Sequence, residues 1–292
     1  MSMFYRAFGF SIRSGLPLPM LSETAETEKA DILVRRENLS GYGDFGIWTN
    51  VNGSILLDVK NVARFRISGG NEICVDPYTG TPDALLALFI LGQCMGAVFQ
   101  QRGLIALHGS CVCRNGRCIM ICGESGSGKS TLAAEFLKHG WRLMTDDVAL
   151  LVERDGRYRV RSSYPSQKLW QDTIDRYGRE NEKKLSLMDE NRREKYHVKV
   201  DGAFFDGEAD FDTVLTLSVT DGEKEAAEVR GTEKISRIVS NIYQKRILTN
   251  DEENAREIRT AVMLAGQVRM FSLARNGDPG CPAYFYHLLT EE

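Results

Sequence analysis

The chain has 292 residues, 42% of them hydrophobic and 26% charged, with a net charge of −3 at pH 7. Such a length can bury the core of one large domain or two modest ones, and the charge balance leaves no basic footprint for nucleic acid. No segment near the start joins a basic stretch to a long apolar run, and the seven cysteines are an odd number, so reduced thiols in a cytoplasmic protein are expected, not an exported disulfide framework.

Residues 3–77 read as strands at Tyr5–Ile12, Ile32–Arg35, Ile47–Val51, Ile55–Phe65 and Glu72–Val75, with turn signals at Asn52-Gly53 and Gly69-Gly70. They predict a β-rich N-terminal region over residues 1–80. A boundary is expected at Tyr78–Pro82, where YTGTP collects turn formers. The run Ala84–Phe99 (ALLALFILGQCMGAVF) is shorter than the ~20 residues a membrane span needs, and Gln93 interrupts it. It predicts a helix buried in the protein core and no membrane association.

Leu104–Cys113 (LIALHGSCVC) reads as a strand, Asn115-Gly116 as a hairpin turn, and Cys118–Cys122 as a second strand. The cysteine pairs Cys111/Cys113 and Cys118/Cys122 raise the question of zinc. They lie inside apolar strands, however, and His108 falls on the opposite strand face from Cys111 and Cys113, so core thiols are expected.

The next residues carry the chemistry. Gly123-Glu124-Ser125-Gly126-Ser127-Gly128-Lys129-Ser130-Thr131 contains the pattern G-x-x-x-x-G-K-[ST]. A strand precedes it, and Thr131–His139 follows with Leu132 and Phe136 at i, i+4, as a helix with one buried stripe requires. Glycines there let backbone N–H groups converge on a polyphosphate, and a helix N-terminus adds its partial positive charge. Lys129 is expected at the β/γ-phosphate oxygens, and the Ser130 hydroxyl at one Mg²⁺ position. ATP and Mg²⁺ are the implied cofactors.

Trp141–Thr145 is apolar enough for a strand, and Asp146-Asp147 closes it. Two carboxylates one helix beyond the loop are well placed to meet Mg²⁺ and a γ-phosphate, which makes Asp147 a candidate metal ligand beside Ser130. Downstream, Ala149–Glu153 and Tyr158–Ser163 flank an Asp155-Gly156 turn. Lys168 stands on a loop near the sheet and is a candidate phosphate contact. Asp175–Lys199 is densely charged and reads as solvated surface, with Lys195 and His197 as weaker candidates. Phe211–Val219 predicts a buried strand, and Thr232–Arg246 an amphipathic helix. Asn250 through Glu253 has capping-box spacing for another helix, ended by Gly266. Arg246 and Arg275 could each supply a charge-stabilising arginine, but surface arginines are common and neither is assigned that role.

The stretch from His108 to Val152 resembles the catalytic core of the HPr kinase/phosphorylase superfamily: a His-Gly before a hairpin, a GxSGxGKS loop, and an Asp-Asp pair, in that order. The resemblance implies an α/β fold whose P-loop kinase core is related to phosphoenolpyruvate carboxykinase, spanning residues 81–292 after the β-rich region. By position it implies that Asp146 is the general base taking the proton of a serine hydroxyl, with Asp147 and His108 as a supporting pair near the γ-phosphate. The superfamily's second signature, a Glu-bearing Gly-rich segment, has no counterpart between Asp155 and Asp210, so little phosphorolysis is expected and a homo-oligomer stays open. The opening FYRAFGFSIRSGLPLPML resembles serine kinases of lasso-peptide gene clusters, which implies a small precursor peptide as acceptor. An HPr-type or small-molecule kinase, and a nucleotide-binding regulatory protein without turnover, are the alternatives.

Overall fold

The structure is a computed structural model and describes residues 2–179, 184–188, 194–200, 202–244 and 251–290. The chain forms two compact units, Met1–Ala106 with Tyr243–Arg256, and Leu107–Ile242 with Glu257–Glu292.

In the first unit, β1 (Met3–Ala7), β2 (Phe10–Ser14), β3 (Ile32–Arg36), β4 (Thr49–Val51), β5 (Ser54–Val59), β6 (Ala63–Ser68) and β7 (Glu72–Pro77) form a seven-stranded sheet of order β1-β2-β3-β7-β6-β5-β4. Strand β6 shows why one face is buried, since Ala63, Phe65 and Ile67 point inward and alternate with partly exposed neighbours. Two expected strands are each a hairpin. Tyr5–Ile12 divides at Phe8, whose φ is 54°, and Ile55–Phe65 divides at Asn61, whose φ is 62°. Neither turn, Phe8-Gly9 or Lys60-Asn61, carries an Asn-Gly or Asp-Gly pair, the strongest hairpin signal.

The helix Asp83–Gln101, with one wider π turn at Ile90–Cys94, packs on β6 and buries Leu86, Ile90, Leu91, Met95, Val98 and Phe99. Phe99 meets Phe8 edge-on with ring centres 5.1 Å apart. This helix is long and apolar enough to cross a membrane by length and composition, and 56% of its most apolar window is buried inside the protein. Because it packs on the N-terminal sheet, the units divide at Ala106/Leu107 and not near Tyr78–Pro82.

The second unit is built on β8 (Ala106–His108), β9 (Ser110–Arg114), β10 (Arg117–Gly123), β11 (Arg142–Thr145), β12 (Val148–Arg154), β13 (Arg157–Arg161), β14 (Ser166–Trp170), β15 (Lys184–Met188), β16 (Glu194–Lys199), β17 (Glu208–Val219), β18 (Glu225–Glu228) and β19 (Arg269–Arg275). A nine-stranded sheet runs β11-β9-β10-β17-β13-β12-β8, with β19 also paired to β17 and β18 to β19. Its centre is parallel: β10, β17 and β19 run together, with Gly123 opposite Leu217 and Leu217 opposite Leu273. One loop therefore leaves the C-terminal edge of a parallel core, the position where α/β sheets bind ligands. The expected strand Leu104–Cys113 is interrupted at Gly109. A Cβ there would lie 2.8 Å from the Ile121 carbonyl oxygen.

The helices Lys129–Lys138 and Cys281–Thr290 cover one face of this sheet. Leu132 and Phe136 meet Val112, Ile121, Leu215, Leu273 and Phe285 in one cluster. Each such side chain contributes about 1.5–3 kcal/mol on burial, which anchors the helix that must present the loop.

The densely charged segment is not all surface. Strands β14, β16 and β15 form a three-stranded sheet, and Val198 and His197 on β16 are buried. Spaced apolar residues such as Leu169, Ile174 and Val198 form a small core there, which composition alone obscured. The helix expected over Thr232–Arg246 ends at Ser240, and Tyr243 N–H donates to the Ala106 carbonyl. Arg246 and Asn250 lie outside the described residues, as does the Lys195 side chain. The helix expected after Asn250 is Asp251–Gln267, which runs through Gly266. All seven cysteines are buried and free.

Candidate active site

The loop is fixed by what its residues exclude. At Gly123, φ is 142° and an added Cβ would lie 2.4 Å from the Leu217 carbonyl oxygen. Only glycine lets β10 run this close to β17 and then turn away. Gly128 stands just before the helix with φ 102°, and no side chain caps the helix N-terminus. Four leading N–H groups of any helix lack intrahelical partners, so this end presents donors and a partial positive charge toward the loop. Lys129 Nζ donates to the carbonyls of Gly123 at 2.7 Å and Glu124 at 3.0 Å. Arg275, the last residue of β19, donates from Nε to Ser127 O at 2.5 Å and from its second guanidinium nitrogen to Gly126 O at 2.8 Å.

The carboxylates are brought in by the antiparallel ladder between β9 and β11. Thr145 pairs with Cys111 after a bulge, so the next residue, Asp146, comes beside Ser110. Ser110 Oγ donates to Asp146 Oδ1 at 3.0 Å, and the Lys168 amide donates to Asp146 Oδ2 at 2.7 Å. Asp147 Oδ2 accepts from Lys168 Nζ at 2.6 Å, and its Oδ1 lies 3.5 Å from His108 Nδ1. The Gly109 amide donates to Asp147 O, which ties the His108 segment to the pair.

Burial pushes the Asp146 carboxyl up to about 6; the Lys168 amide and Ser110 oppose this, and the neighbouring Asp147 adds to it. Burial alone would lower the Lys168 ammonium, but Asp147, the Tyr164 phenol and Asp146 outweigh it and hold it above its ordinary value. His108 is held below its ordinary value by burial and by Lys129 and Lys168, against the pull of Asp147. At neutral pH the site thus contains an ionised, strengthened carboxylate base, a lysine ammonium and a neutral imidazole.

A cavity of about 390 Å³ unites these groups. It is lined by His108, Ser125, Gly126, Gly128, Lys129, Ser130, Thr131, Asp146 and Asp147, and further by Lys168, Trp170, Asp172, Thr173, Arg176, Arg275 and Phe285. The sequence candidates that do not line it are Gly123, Glu124 and Ser127. Gly123 and the buried Ser127 lie beneath the loop, where a Cβ on Gly123 would be 2.7 Å from Ser127 Oγ. His197 is also absent from the lining; its Nδ1 is 2.9 Å from Ser166 Oγ.

Among the lining residues that the sequence left without a role are Phe285 and the Gln171–Arg176 helix, whose Thr173 hydroxyl is 3.2 Å from that of Thr131, and Arg275, considered only as a charge-stabilising arginine, joins them. They lie more than forty positions from the loop, and no local pattern marks them. Among the described residues, no group of three or more His, Cys, Asp or Glu could hold a metal ion. The oxygen donors facing the cavity, Ser130 and Asp147, suit a cation that shares its ligands with phosphates, as Mg²⁺ does.

The glycine loop leaves the C-terminal edge of a parallel sheet and faces a carboxylate pair, in a protein of mixed α/β class. The chain belongs to the family described as SynChlorMet cassette protein ScmC, whose family model matches residues 79–276. It is also similar to HPr kinase/phosphorylase from Clostridium botulinum (strain Eklund 17B / Type B), 52% identical over 50 residues, which cover 17% of this chain and 16% of that protein. A second relative of the same name, from Clostridium beijerinckii, is 48% identical over 56 residues, covering 19% and 18%. The chain therefore matches about a sixth of the length of these curated relatives. The solved structure of the Hpr(Ser) kinase/phosphatase from Coxiella burnetii aligns over 64% of this chain and 94% of that one, at 10% identity and a TM-score of 0.32. The superfamily resemblance read from the sequence is borne out.

Proposed function

We propose that this protein is an ATP-dependent kinase with a P-loop core of the HPr kinase/phosphoenolpyruvate carboxykinase type, transferring the γ-phosphoryl group to a serine of a small peptide. The observation that carries this reading is the single cavity that holds Lys129 and Ser130 of the loop together with His108, Asp146 and Asp147. Phosphoryl transfer needs positioning and charge stabilisation more than covalent chemistry. A phosphate cradle, a cation and one well-placed carboxylate supply nearly all of it.

In this reading the loop amides and Lys129 bind the β- and γ-phosphates, and Lys129 leaves its two carbonyl acceptors to do so. Ser130 and Asp147 would hold Mg²⁺, which when bound neutralises charge on the phosphate oxygens. Asp146 accepts the serine proton. Its carboxyl, raised to about 6, is a stronger base than an ordinary aspartate while still mostly ionised at pH 7. His108 stays neutral and orients Asp147.

The acceptor belongs to the same proposal. The opening FYRAFGFSIRSGLPLPML resembles kinases of lasso-peptide clusters, and the match to a cassette family supports a substrate encoded nearby. A loose peptide terminus also enters a narrow cavity more readily than a serine fixed on a folded surface. The test is to incubate the protein with Mg-ATP and either a short precursor peptide encoded beside it or HPr, and to map phosphate by mass spectrometry. Phosphoserine on the peptide is expected. Labelling of HPr alone or of a small metabolite would overturn the acceptor assignment, whereas no ATP binding at all would overturn the kinase reading.

A further inference from the structure

Strand β14 carries a residue that touches both members of the carboxylate pair, each through a different group. The main-chain N–H of Lys168 donates to Asp146 Oδ2 at 2.7 Å, and its Nζ donates to Asp147 Oδ2 at 2.6 Å. The first contact is possible because, among the described residues, β14 is an edge strand paired only with β16, so its outer amides are not used by a neighbouring strand. The second places a cation in the cavity wall, where the Lys168 side chain is 20% exposed.

Two adjacent carboxylates repel each other and would also repel a polyphosphate held by the loop. An interposed ammonium offsets both effects. Asp146 has a second support in Ser110, so loss of the ammonium should disturb Asp147 more than Asp146. Buried ion pairs are often no better for stability than apolar packing, so stability alone is a weak account of this pair. This one faces the cavity.

We propose that Lys168 is a positioning residue for phosphoryl transfer, aiming Asp146 with its amide and holding Asp147 with its ammonium until a metal-bound polyphosphate shares that oxygen. The proposal rests on the kinase reading above. A metal ion reaching Asp147 has to compete with the ammonium for Oδ2, so removing the lysine charge has a consequence that a purely structural role lacks. Metal affinity should rise while turnover falls.

The experiment uses the full chain and the variants Lys168→Met and Lys168→Arg, with circular dichroism to verify folding. Mn²⁺ binding, read by electron paramagnetic resonance without nucleotide, should tighten at least on the order of tenfold in Lys168→Met, the lower, water-screened end of what one nearby charge is worth. With Mg-ATP and an acceptor peptide carrying a free serine, kcat should fall on the order of 10²-fold while the KM for ATP stays within about threefold, the pattern of a lost transition-state interaction. Lys168→Arg should recover at least about a tenth of the lost turnover, because the charge is restored with a different shape. Unchanged Mn²⁺ affinity, or a loss carried wholly by KM, overturns the proposal. If Lys168→Met does not fold, Lys168→Gln carries the same expectations. Were the wild type to phosphorylate nothing, the kinase reading would fail, and the Mn²⁺ arm would still decide whether Lys168 controls Asp147.

Discussion

The two walls of the cavity are built on different principles. The loop wall works through backbone: Gly123 and Gly128 adopt conformations that other residues resist, and Arg275 braces the carbonyls of Gly126 and Ser127. The carboxylate wall works through side chains drawn from separate segments, with Ser110, Asp146, Asp147 and Lys168 linked by hydrogen bonds and ion pairs. A backbone cradle is encoded in a few consecutive residues. A side-chain network depends on where distant strands happen to meet. The first should fail all at once when its lysine is lost, and the second should fail in graded steps.

The largest effect is expected from the loop wall. Lys129→Ala removes the one side-chain ammonium that the motif supplies to the phosphates. Phosphoryl transfer should drop at least about 10³-fold, with ATP binding weakened and the fold retained, since Lys129 is only partly buried and contacts loop carbonyls. Wild-type turnover in this variant, measured with Mg-ATP, would remove the loop from the mechanism.

On the carboxylate wall, Asp146→Asn should cost roughly 10²–10⁴ in kcat, the usual weight of a general base, with a much smaller change in ATP affinity. Asp147→Asn should act instead through metal binding or His108. Normal turnover in the Asp146 variant with an inactive Asp147 variant would exchange the two roles.

The same contrast explains what could be read in advance. The loop, its preceding strand and the Leu132/Phe136 stripe were legible because each rests on neighbours in sequence. So was the Asp146-Asp147 pair, since it ends a strand one helix after the loop. Arg275 was not assigned a role. It reaches the loop only because β19 lies parallel to β17 and β17 to β10, a pairing of segments far apart in the chain. The hairpins at Phe8 and Asn61 were missed because their turns, Phe8-Gly9 and Lys60-Asn61, are not the Asn-Gly or Asp-Gly pairs that signal a hairpin most strongly. The core beneath β14 and β16 was hidden by the charges that surround Leu169 and Val198 in sequence but not in space.

A smaller effect separates the chemistry of Asp146 from its stability. Its carboxyl has an ordinary value of 3.8 and stands at about 6 in the folded protein. The folded state therefore holds the proton more tightly, and stability falls as pH rises from about 4 through about 6. Above that window the ionised carboxylate costs up to about 3 kcal/mol, at 1.36 kcal/mol per pH unit. Asp146→Asn lacks this penalty, so urea melts should show the variant gaining on the wild type by about 1–3 kcal/mol between pH 4 and pH 7. A difference that does not vary with pH would mean that burial of the charge is not what strains this wall.

The smallest effect is expected where backbone recognition is only braced. Arg275→Met keeps much of the stem but removes the two donors that hold the Ser127 and Gly126 carbonyls. Gly126 and Gly128 both have positive φ, so without the guanidinium the loop has more conformations to lose when it closes on phosphates. ATP affinity should weaken about threefold to tenfold, since a net hydrogen bond to a charged group contributes about 1.5–3 kcal/mol and part of that is recovered by water. The melting temperature should move little, because the two hydrogen bonds are part-buried and exposed and brace the loop, not the sheet core. Isothermal titration with ATP measures the first and calorimetry the second. If ATP affinity falls a thousandfold instead, Arg275 contacts the phosphates directly, and the loop wall depends on a side chain after all.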